Sequence, residues 1–344
     1  MTDSPRLARQ MAALADLGFK RVVSQDVSSE VVPVRGKRFK VTSTCPSMGT
    51  LVSVTAIHPS LDLVQEAMGR AFQEMDRVVN LLNRYDPDSA VSYLNSEGRI
   101  EGSPPELDLV LGRALRFHRL TAGAFDPTVQ PLVDLFRQGD AGEAELLGAL
   151  SLVDARGVEM APRRIHFSQA GMGITLDGIA KGYVVDAMTR VLEEHRLRHF
   201  LLDAGGDIRS RGQREDGEPW RVGVQDPAKE GDLPDIIPLS GMAVATSGSY
   251  EIYFDPDRTR HHIVSAQSGS SPHRSQSVSV TAPSALEADA LATSVFVMAP
   301  EAGLAFIDTI PRCACLIVDA EGRSLRSTHW QSLTEIPFPK AGTL

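Results

Sequence analysis

The class of fold is indicated by one short stretch of the chain, Phe200-Leu201-Leu202-Asp203-Ala204-Gly205-Gly206-Asp207-Ile208. An apolar run that is typical of a strand ends here at two glycines, and an aspartate stands close to either side of them. Two adjacent glycines suit a tight hairpin turn between antiparallel strands, and they also let a backbone approach a ligand closely. The sequence alone leaves both interpretations open.

Helical and strand-like patterns alternate on both sides of this stretch. Apolar residues recur at the spacing of one helix face over residues 61–82, 107–120, 141–150, 179–192, 285–298 and 302–310. Strand-like runs lie at residues 52–57, 174–176, 200–202, 220–224, 278–281 and 315–318. This mixture of helices and mostly hairpin-like strands predicts an α+β fold, in which a mixed or antiparallel sheet packs against helices.

The length and the composition bound the number of domains. The chain has 344 residues, of which 42% are apolar and 23% are charged, so it is long enough for one large domain or two modest ones. The pattern of a folded domain begins near residue 39, after a mixed stretch without a strong period. We therefore expect an N-terminal arm or accessory element over residues 1–40 and a single large domain over residues 41–340.

The charge and the hydropathy pattern exclude several classes of function. A formal net charge of −9 argues against a general nucleic-acid-binding protein or a protein of anionic membrane surfaces, because both need a basic face. No run approaches the roughly eighteen apolar residues of a membrane span, and the chain start lacks the pattern of a secretory signal. We expect a cytoplasmic protein, with an exported protein that has lost its signal as the alternative.

A cluster of charged residues and glycines occupies residues 175–183, Thr-Leu-Asp-Gly-Ile-Ala-Lys-Gly-Tyr. An acid at a strand end, followed by a glycine and a helix start, can create an anion site, because free N–H groups and Lys181 attract negative charge. In the alternative interpretation Asp177 is an ordinary helix N-cap and Lys181 is solvated. Gly178 and Gly182 would then serve close packing alone.

Hydroxyl groups and a histidine follow one another further along the chain. Thr246, Ser247 and Gly248 come directly after an apolar run, and His262 precedes another short apolar segment. A histidine beside a loop of hydroxyls suits a general base, since its unperturbed pKa lies close to physiological pH. A structural role for His262 is the alternative, and in a strand its neighbour His261 would point the other way.

Two oxygen-bearing side chains share one turn of a predicted helix. Asp289 and Thr293 are four residues apart, so they lie on the same helix face. Two oxygen ligands on one turn suit Mg²⁺, which usually takes few protein carboxylates and completes its shell with substrate phosphate oxygens. A single polar turn in an amphipathic helix would have the same pattern.

Eight segments in this order resemble the ApbE family, the FAD:protein FMN transferases. The segments are residues 48–50, 84–95, 123–128, 176–183, 203–208, 245–250, 262–269 and 288–293, and together they span roughly residues 47–310. The resemblance implies a single large domain of the ApbE-like, T-fold-related type. It further implies an enzyme that, with Mg²⁺, transfers FMN from its substrate FAD to a threonine of an acceptor flavoprotein and releases AMP.

The resemblance also implies roles for individual residues. Met48 and Tyr85 would lie against the flavin or the adenine, while His262 would deprotonate the acceptor threonine. Mg²⁺ on the pyrophosphate would be held by the backbone near Gly178 together with Asp289 and Thr293, which makes Asp289 a catalytic residue beside His262. The remaining FAD contacts implied by the resemblance are Asp126, Asp177, Lys181, Gly205, Gly206, Thr246, Ser247 and Gly248.

The chain departs from the family pattern after the histidine. Family members usually continue Ile-Ile-Asp-Pro-Arg-Thr-Gly, whereas this chain has Ser265, Ala266 and Gln267 in place of the Asp, Pro and Arg. The departure keeps two alternatives open, an FAD pyrophosphatase that forms FMN and AMP, and an FAD-binding protein without turnover. The usual lipoprotein start is absent as well. The sequence names neither the acceptor nor the oligomeric state, and it assigns no role to residues 1–40.

Overall fold

The computed structural model describes residues 27–139, 142–225, 227, 233–250 and 252–334. Fourteen strands occur in this part of the chain. They are β1 (Ser28–Val34), β2 (Arg38–Ser47), β3 (Thr50–His58), β4 (Arg99–Glu101), β5 (Val158–Ala161), β6 (Arg164–Phe167), β7 (Phe200–Ala204), β8 (Asp207–Arg211), β9 (Trp220–Gly223), β10 (Ile236–Leu239), β11 (Ala243–Gly248), β12 (Ser275–Ala282), β13 (Ala314–Asp319) and β14 (Ser324–Arg326).

Nine α-helices occur among the described residues. They are α1 (Leu61–Leu82), α2 (Ala90–Glu97), α3 (Pro105–Leu120), α4 (Gln130–Gln138), α5 (Glu143–Leu150), α6 (Ala180–Glu194), α7 (Ala285–Val297), α8 (Pro300–Asp308) and α9 (Thr328–Thr334). None of these helices is both long and apolar enough to cross a membrane.

The main sheet contains nine strands in the order β1-β2-β3-β7-β8-β11-β12-β13-β14. Each neighbouring pair in it is antiparallel. The strands β9 and β10 form a separate hairpin, and β4, β6 and β5 form a small third sheet. The predicted α+β fold, with an antiparallel sheet packed against helices, is therefore confirmed.

Helices cover one face of the main sheet and form the larger core. Helix α1 contributes a face of buried residues at helical spacing, from Val64 and Met68 to Met75. Helix α7 is buried on nearly every side, because α6 packs against it and β11 and β12 lie beneath it. The strands contribute alternate residues to the same core, such as Val52 and Val54 of β3.

A smaller core covers the other face of the sheet. Ile208, Val244 and Leu316 point to this side, where the β9–β10 hairpin and α9 pack over them. Trp330 of α9 is fully buried there, and its indole N–H donates to Asp235 Oδ2 at 3.0 Å. The second core explains why the central strands are buried on both faces.

The predicted strand at residues 174–176 is wrong. This segment belongs to no strand, because the side chain of Asn95 bonds Ile174 and the Thr175 N–H donates to the Pro127 carbonyl at 2.7 Å. Asn95 accepts from the Ile174 N–H at 2.8 Å and donates to the Ile174 carbonyl at 2.9 Å. The apolar run at residues 174–176 therefore reflects burial rather than sheet pairing.

The main sheet starts earlier than the domain boundary expected after residue 40. Strand β1 pairs with β2 along its whole length, and the expected boundary falls inside β2. Residues 1–26, which make up most of the expected arm, lie outside the described residues.

Candidate active site

A cavity of about 420 Å³ lies where hairpin tips, the end of β11 and two helices meet. Every residue assigned to the site from the sequence lines this cavity except Gly206. These residues are Met48, Tyr85, Asp126, Asp177, Gly178, Lys181, Gly205, Thr246, Ser247, Gly248, His262, Asp289 and Thr293. Segments far apart in the sequence are thus brought to one place.

Two hairpin tips contact each other at the cavity. Met48 and Gly49 join β2 to β3 in a two-residue turn with φ of 51° and 77°, and Gly205 and Gly206 join β7 to β8 with φ of 65° and 97°. Positive φ at both central positions is the turn type that matches strand twist. A Cβ on Gly205 would lie 2.2 Å from Thr50 Oγ1 of the other tip. The hairpin interpretation is therefore confirmed, and Gly205 is needed for the close contact between the two tips.

Two buried carboxylates and a lysine form the inner end of the site. Lys181 Nζ lies 3.7 Å from Asp207 Oδ1, and Asp289 Oδ2 accepts from the Gly182 N–H at 2.9 Å. Burial raises the pKa of Asp207 to about 6, while Lys181 opposes the rise and Asp203 adds to it. Burial and the neighbouring Asp207 raise the pKa of Asp289 well above its usual range. Two carboxylates thus share one nearby lysine.

The residues around Asp289 fit a divalent cation. Asp207 Oδ2 is buried without a hydrogen-bond partner among the described residues, and the raised pKa of both carboxyl groups shows that one lysine does not compensate two negative charges there. Thr293 Oγ1 lies 3.2 Å from Ser247 Oγ, and a Cβ on Gly178 would lie 2.9 Å from Thr293 Oγ1. Thr293, which follows Asp289 by one helix turn, thus contacts both Ser247 and the backbone at Gly178.

The oxygen atoms of Asp289 and Thr293 are donors of the kind that hard cations such as Mg²⁺ accept. Within the described part of the chain, no three His, Cys, Asp or Glu side chains converge as a metal cluster. A cation at Asp289 would therefore also take hydroxyl, backbone and substrate oxygens, as Mg²⁺ does in phosphate-binding sites.

The N-terminus of α6 is less free than the sequence suggested. The Ala180 N–H donates to the Leu176 carbonyl at 2.7 Å, and the Gly182 N–H is taken by Asp289. The N-cap is Ile179, which makes no side-chain cap, so the interpretation of Asp177 as the N-cap is wrong. The Lys181 side chain is the positive group that this segment presents to the cavity.

Arg84 connects several residues of the cavity wall, although the sequence analysis gave it no role. Its side chain is only 4% exposed, and its Nε donates to Asp177 Oδ2 at 2.7 Å. Nη2 donates to the Tyr85 hydroxyl at 2.7 Å, and Nη1 reaches Gln130 at 3.0 Å and Asp134 at 3.2 Å. The guanidinium carbon also lies 4.4 Å from the centre of the Tyr85 ring. Arg84 therefore orients both Asp177 and Tyr85.

Asp126 has a structural task within the cavity wall. Its Oδ1 accepts from the N–H and the hydroxyl of Thr128, at 2.7 and 2.5 Å, and so begins the short 3₁₀ helix Pro127–Val129. Its Oδ2 lies 3.1 Å from His118 Nδ1. Burial raises the pKa of Asp126, and the bonds from Thr128 oppose the rise. The carboxylate thus shapes the loop that carries Phe125 into the cavity.

The two adjacent histidines occupy different environments. His262 lines the cavity, and its Nδ1 lies 3.4 Å from the Ile252 carbonyl. His261 is fully buried behind it, and its Nε2 lies 2.9 Å from the Pro272 carbonyl. Burial lowers the pKa of His261 to about 4. His262 is the member of the pair that a substrate can reach.

The segment that departs from the family pattern forms a turn of its own. The Ser265 N–H donates to the Ser270 carbonyl, and the Gly269 N–H donates to the Ser265 carbonyl, both at 2.9 Å. Gln267 Nε2 donates to the Ala122 carbonyl at 3.2 Å. Ile263 and Val264 line the cavity, but residues 265–267 do not.

Arg84 and Asp207 are the two buried charges that the sequence analysis did not place in the site. Both stood inside segments already singled out, Arg84 next to Tyr85 and Asp207 after the two glycines. The feature of the sequence that could have identified them is a charged residue directly beside a residue with an assigned role. It was too weak to use, because most charged residues lie on the surface.

Comparison with known proteins finds related sequences over most of the chain. A model of the ApbE family matches residues 48–317. The FAD:protein FMN transferase of Treponema pallidum (strain Nichols) is 32% identical over 306 residues, which cover 80% of this chain and 83% of that protein. The FAD:protein FMN transferase of Escherichia coli (strain K12) is 30% identical over 244 residues, which cover 66% and 70%.

Solved structures of ApbE proteins have a similar fold. The crystal structure of the ApbE protein from Thermotoga maritima has a TM-score of 0.79 at 29% identity, and the match covers 86% of this chain and 99% of that one. The apo form of the flavinyl transferase ApbE from Pseudomonas stutzeri has a TM-score of 0.77 at 25% identity, with 92% and 100% covered.

Proposed function

Because this chain belongs to the ApbE family and is an FAD:protein FMN transferase, we propose that it transfers FMN from FAD to a threonine hydroxyl of an acceptor flavoprotein, with Mg²⁺ bound and AMP released. The observation that carries the proposal is the convergence of His262, Lys181 and the Asp289–Thr293 pair on one cavity. His262 would be the base, Lys181 would supply a positive charge, and Asp289 and Thr293 would supply oxygen ligands for Mg²⁺. Such a phosphoryl transfer requires all three.

The acceptor hydroxyl must lose its proton as its oxygen attacks the phosphorus of the FMN half. His262 is in the cavity wall, and an imidazole can accept a proton near neutral pH. As the new phosphoester bond forms, the bond to the bridging oxygen breaks, and that oxygen leaves with AMP. His262 then returns the proton to solvent.

The pyrophosphate end of FAD would lie beside Lys181. The Lys181 ammonium is held near Asp207, so it stays at the inner end of the cavity instead of extending into solvent. Asp289, Thr293 and the backbone at Gly178 would hold Mg²⁺ there. When bound, the ion would supply positive charge to the phosphate oxygens.

The aromatic end of FAD would lie on the apolar side of the cavity. Met48 sits at the tip of the β2–β3 turn, and the Tyr85 ring is held in place by Arg84. Val133 and Phe254 also line this wall. An orientation with the ring on Tyr85 and the phosphates at Lys181 uses both halves of the cavity.

The turn at residues 265–267 bears on the two alternatives. Ser265, Ala266 and Gln267 do not line the cavity, so the departure from the family pattern lies outside the wall that would hold FAD. His262 is present at the cavity wall. The presence of this base favours catalysis over FAD binding without turnover, and the experiment below separates transfer to a protein from hydrolysis.

The test is the mass of an acceptor flavoprotein domain after incubation with the enzyme, FAD and Mg²⁺. We expect the acceptor to gain the mass of one FMN less water, and the same domain with its threonine replaced by alanine to gain none. Asp289→Ala should abolish the gain. Glu301→Ala, which removes an exposed acid at the start of α8, is the matched control and should leave it unchanged.

Two outcomes would overturn the proposal. Steady release of FMN and AMP without any gain of acceptor mass would identify an FAD pyrophosphatase. Tight FAD binding with neither cleavage nor transfer would identify a binding protein.

A further inference from the structure

Three charged groups at the inner end of the site belong to three different elements. Lys181 is on α6, Asp207 begins β8, and Asp289 is on α7. Their separation therefore depends on how these elements are fastened to one another, and a small displacement of any element would change it.

Ion pairs connect β8 to α6 along their length. Asp207, Arg209 and Arg211 lie on one face of β8, because they alternate along the strand. Lys181 lies near Asp207, and Arg209 Nη1 donates to Asp186 Oδ1 at 2.9 Å. Arg211 pairs with Glu193 in the last turn of α6.

The middle pair of this row also reaches α7. Asp186 Oδ1 accepts from the Ala285 N–H and Oδ2 from the Leu286 N–H, both at 3.0 Å. The N-cap Ser284 accepts from the Glu287 N–H at 3.2 Å. Because this end of α7 is buried, its first N–H groups cannot turn to water and depend on these partners.

Arg209 completes the connection. The same Nη1 that bonds Asp186 also donates to the Pro283 carbonyl at 2.8 Å, just before the cap of α7. The Asp186 carboxylate and the Arg209 guanidinium thus join α6, β8 and the start of α7. Asp289 follows only one turn later on α7.

From this geometry we infer that Asp186, together with Arg209, is a positioning residue of the active site. The pair sets where Asp289 and Thr293 stand relative to Lys181 and Asp207. Neither member lines the cavity, so neither touches the substrate. The inference rests on the proposed function, because it assigns the pair a part in cation binding and FMN transfer.

The test compares Asp186→Asn with two matched capping variants. Asparagine keeps the size of the side chain, but its amide group offers a donor where Arg209 and two backbone N–H groups already donate. We expect the half-saturating Mg²⁺ concentration to rise, and kcat to fall, by about tenfold, which is the lower end of the effect of losing an outer-shell partner, because Asp186 acts on Asp289 only through the helix.

Ser284→Ala and Asp308→Asn are the controls. Ser284→Ala weakens the cap of the same helix but leaves the link between α6, β8 and α7 in place. Asp308→Asn removes a comparable bond, because Asp308 Oδ1 accepts from the Thr328 N–H at 3.0 Å at the start of α9. Both should lower the unfolding temperature while the half-saturating Mg²⁺ concentration stays within about twofold of the unmodified protein.

Binding of Mn²⁺ alone, followed by electron paramagnetic resonance, gives a measurement without turnover. Weaker Mn²⁺ binding in Asp186→Asn, but not in the two controls, supports the inference. Equal Mn²⁺ binding in all variants overturns it, as does an effect of Ser284→Ala equal to that of Asp186→Asn. If Asp186→Asn does not fold, Arg209→Gln keeps the cap of α7, removes the link to β8, and is judged by the same criteria.

Failure of the proposed function has a different signature. The unmodified protein would then move no FMN, yet its Mn²⁺ binding could still be compared with that of the variants. A loss of Mn²⁺ binding confined to Asp186→Asn would support the positioning role even in that case.

Discussion

Arg84 determines the positions of two residues that were assigned to FAD from the sequence. Its guanidinium bonds Asp177 and the Tyr85 hydroxyl, and it lies over the Tyr85 ring. A buried guanidinium with two carboxylate partners is costly to remove, because its partners are left without the charge that balances them. One residue outside the predicted set thus controls two within it.

Replacing Arg84 by methionine should weaken FAD binding by about tenfold or more, which is about 1.4 kcal/mol of binding free energy. The reason is that Asp177 and Tyr85 lose their common partner. The dissociation constant from quenching of flavin fluorescence measures the effect. Arg77→Met is the control, because the half-exposed Arg77 pairs with Glu74 and Glu106 on the surface. Equal affinity in Arg84→Met and Arg77→Met would contradict the role of Arg84.

Gly178 is needed for the place of Thr293. A Cβ at residue 178 would lie 2.9 Å from Thr293 Oγ1 and 3.0 Å from its Cγ2, so Gly178→Ala must displace Thr293. We expect the half-saturating Mg²⁺ concentration for FMN transfer to rise by about tenfold. Gly69→Ala is the control, since a Cβ there has nothing within 4 Å. An unchanged Mg²⁺ dependence in Gly178→Ala would argue against Thr293 as a ligand.

At the scale of elements, the site depends on the crossing of α6 and α7. Gly182 lets the two helices touch, because its Cβ position is only 2.3 Å from the Ala285 carbonyl oxygen. The Gly182 N–H also bonds Asp289 across the same crossing. The suggestion that Gly182 serves close packing is therefore confirmed, and this packing brings Lys181 and Asp289 together.

Gly182→Ala should lower the free energy of unfolding by about 2–3 kcal/mol, because overpacking against a backbone forces the helices apart. Urea-induced unfolding measures the loss. Gly112→Ala in α3 is the matched helix control, since its Cβ would meet nothing within 4 Å. Alanine there should raise stability by about 0.5–1 kcal/mol. Equal changes in the two variants would contradict the close crossing.

At the scale of the whole molecule, the sheet separates two cores, and the cavity lies beside the larger one. His261 and Phe296 connect this core to the cavity wall, with their ring centres 5.7 Å apart. The pKa of His261 is lowered to about 4, mainly by burial and to a smaller extent by His262 and His273. The bond to the Pro272 carbonyl and the charge of Asp255 oppose this shift. The ring must stay neutral for the fold to keep it buried.

The sign of the resulting pH dependence is set by the unfolded state. Above pH 6.5 His261 is neutral in both states, and between pH 6.5 and 4 only the unfolded chain binds the proton. Stability therefore falls as the pH drops, by about 2 kcal/mol between pH 7 and 5 from this residue. Urea unfolding at both pH values should show this loss, and His261→Gln should reduce it. An equal loss in His261→Gln would show that another group is responsible.

The local patterns of this sequence predicted much of the fold. Helix α1 was predicted over residues 61–82 and occupies Leu61–Leu82, because Ser60 caps its start and one apolar face continues through it. The Gly-Gly turn was open to two interpretations, and the hairpin is confirmed, since φ is positive at both glycines and they join β7 to β8. Residues 174–176 were predicted wrongly, because burial of Ile174 and Leu176 in the larger core gives the same apolar pattern as a strand.

What the sequence by itself determined is therefore the six longer helical patterns, five of the strands, the class of the fold and the segments whose residues line the cavity. These follow from local periodicity, turn residues and motif order, which can be recognised without knowledge of the tertiary contacts. Only the tertiary structure decided that Arg84 holds Asp177 and Tyr85, and that Asp186 joins α6 to β8 and α7. Such contacts join residues that are far apart in the sequence. The neighbouring residues of a charged side chain do not indicate whether it is buried between helices or exposed to water.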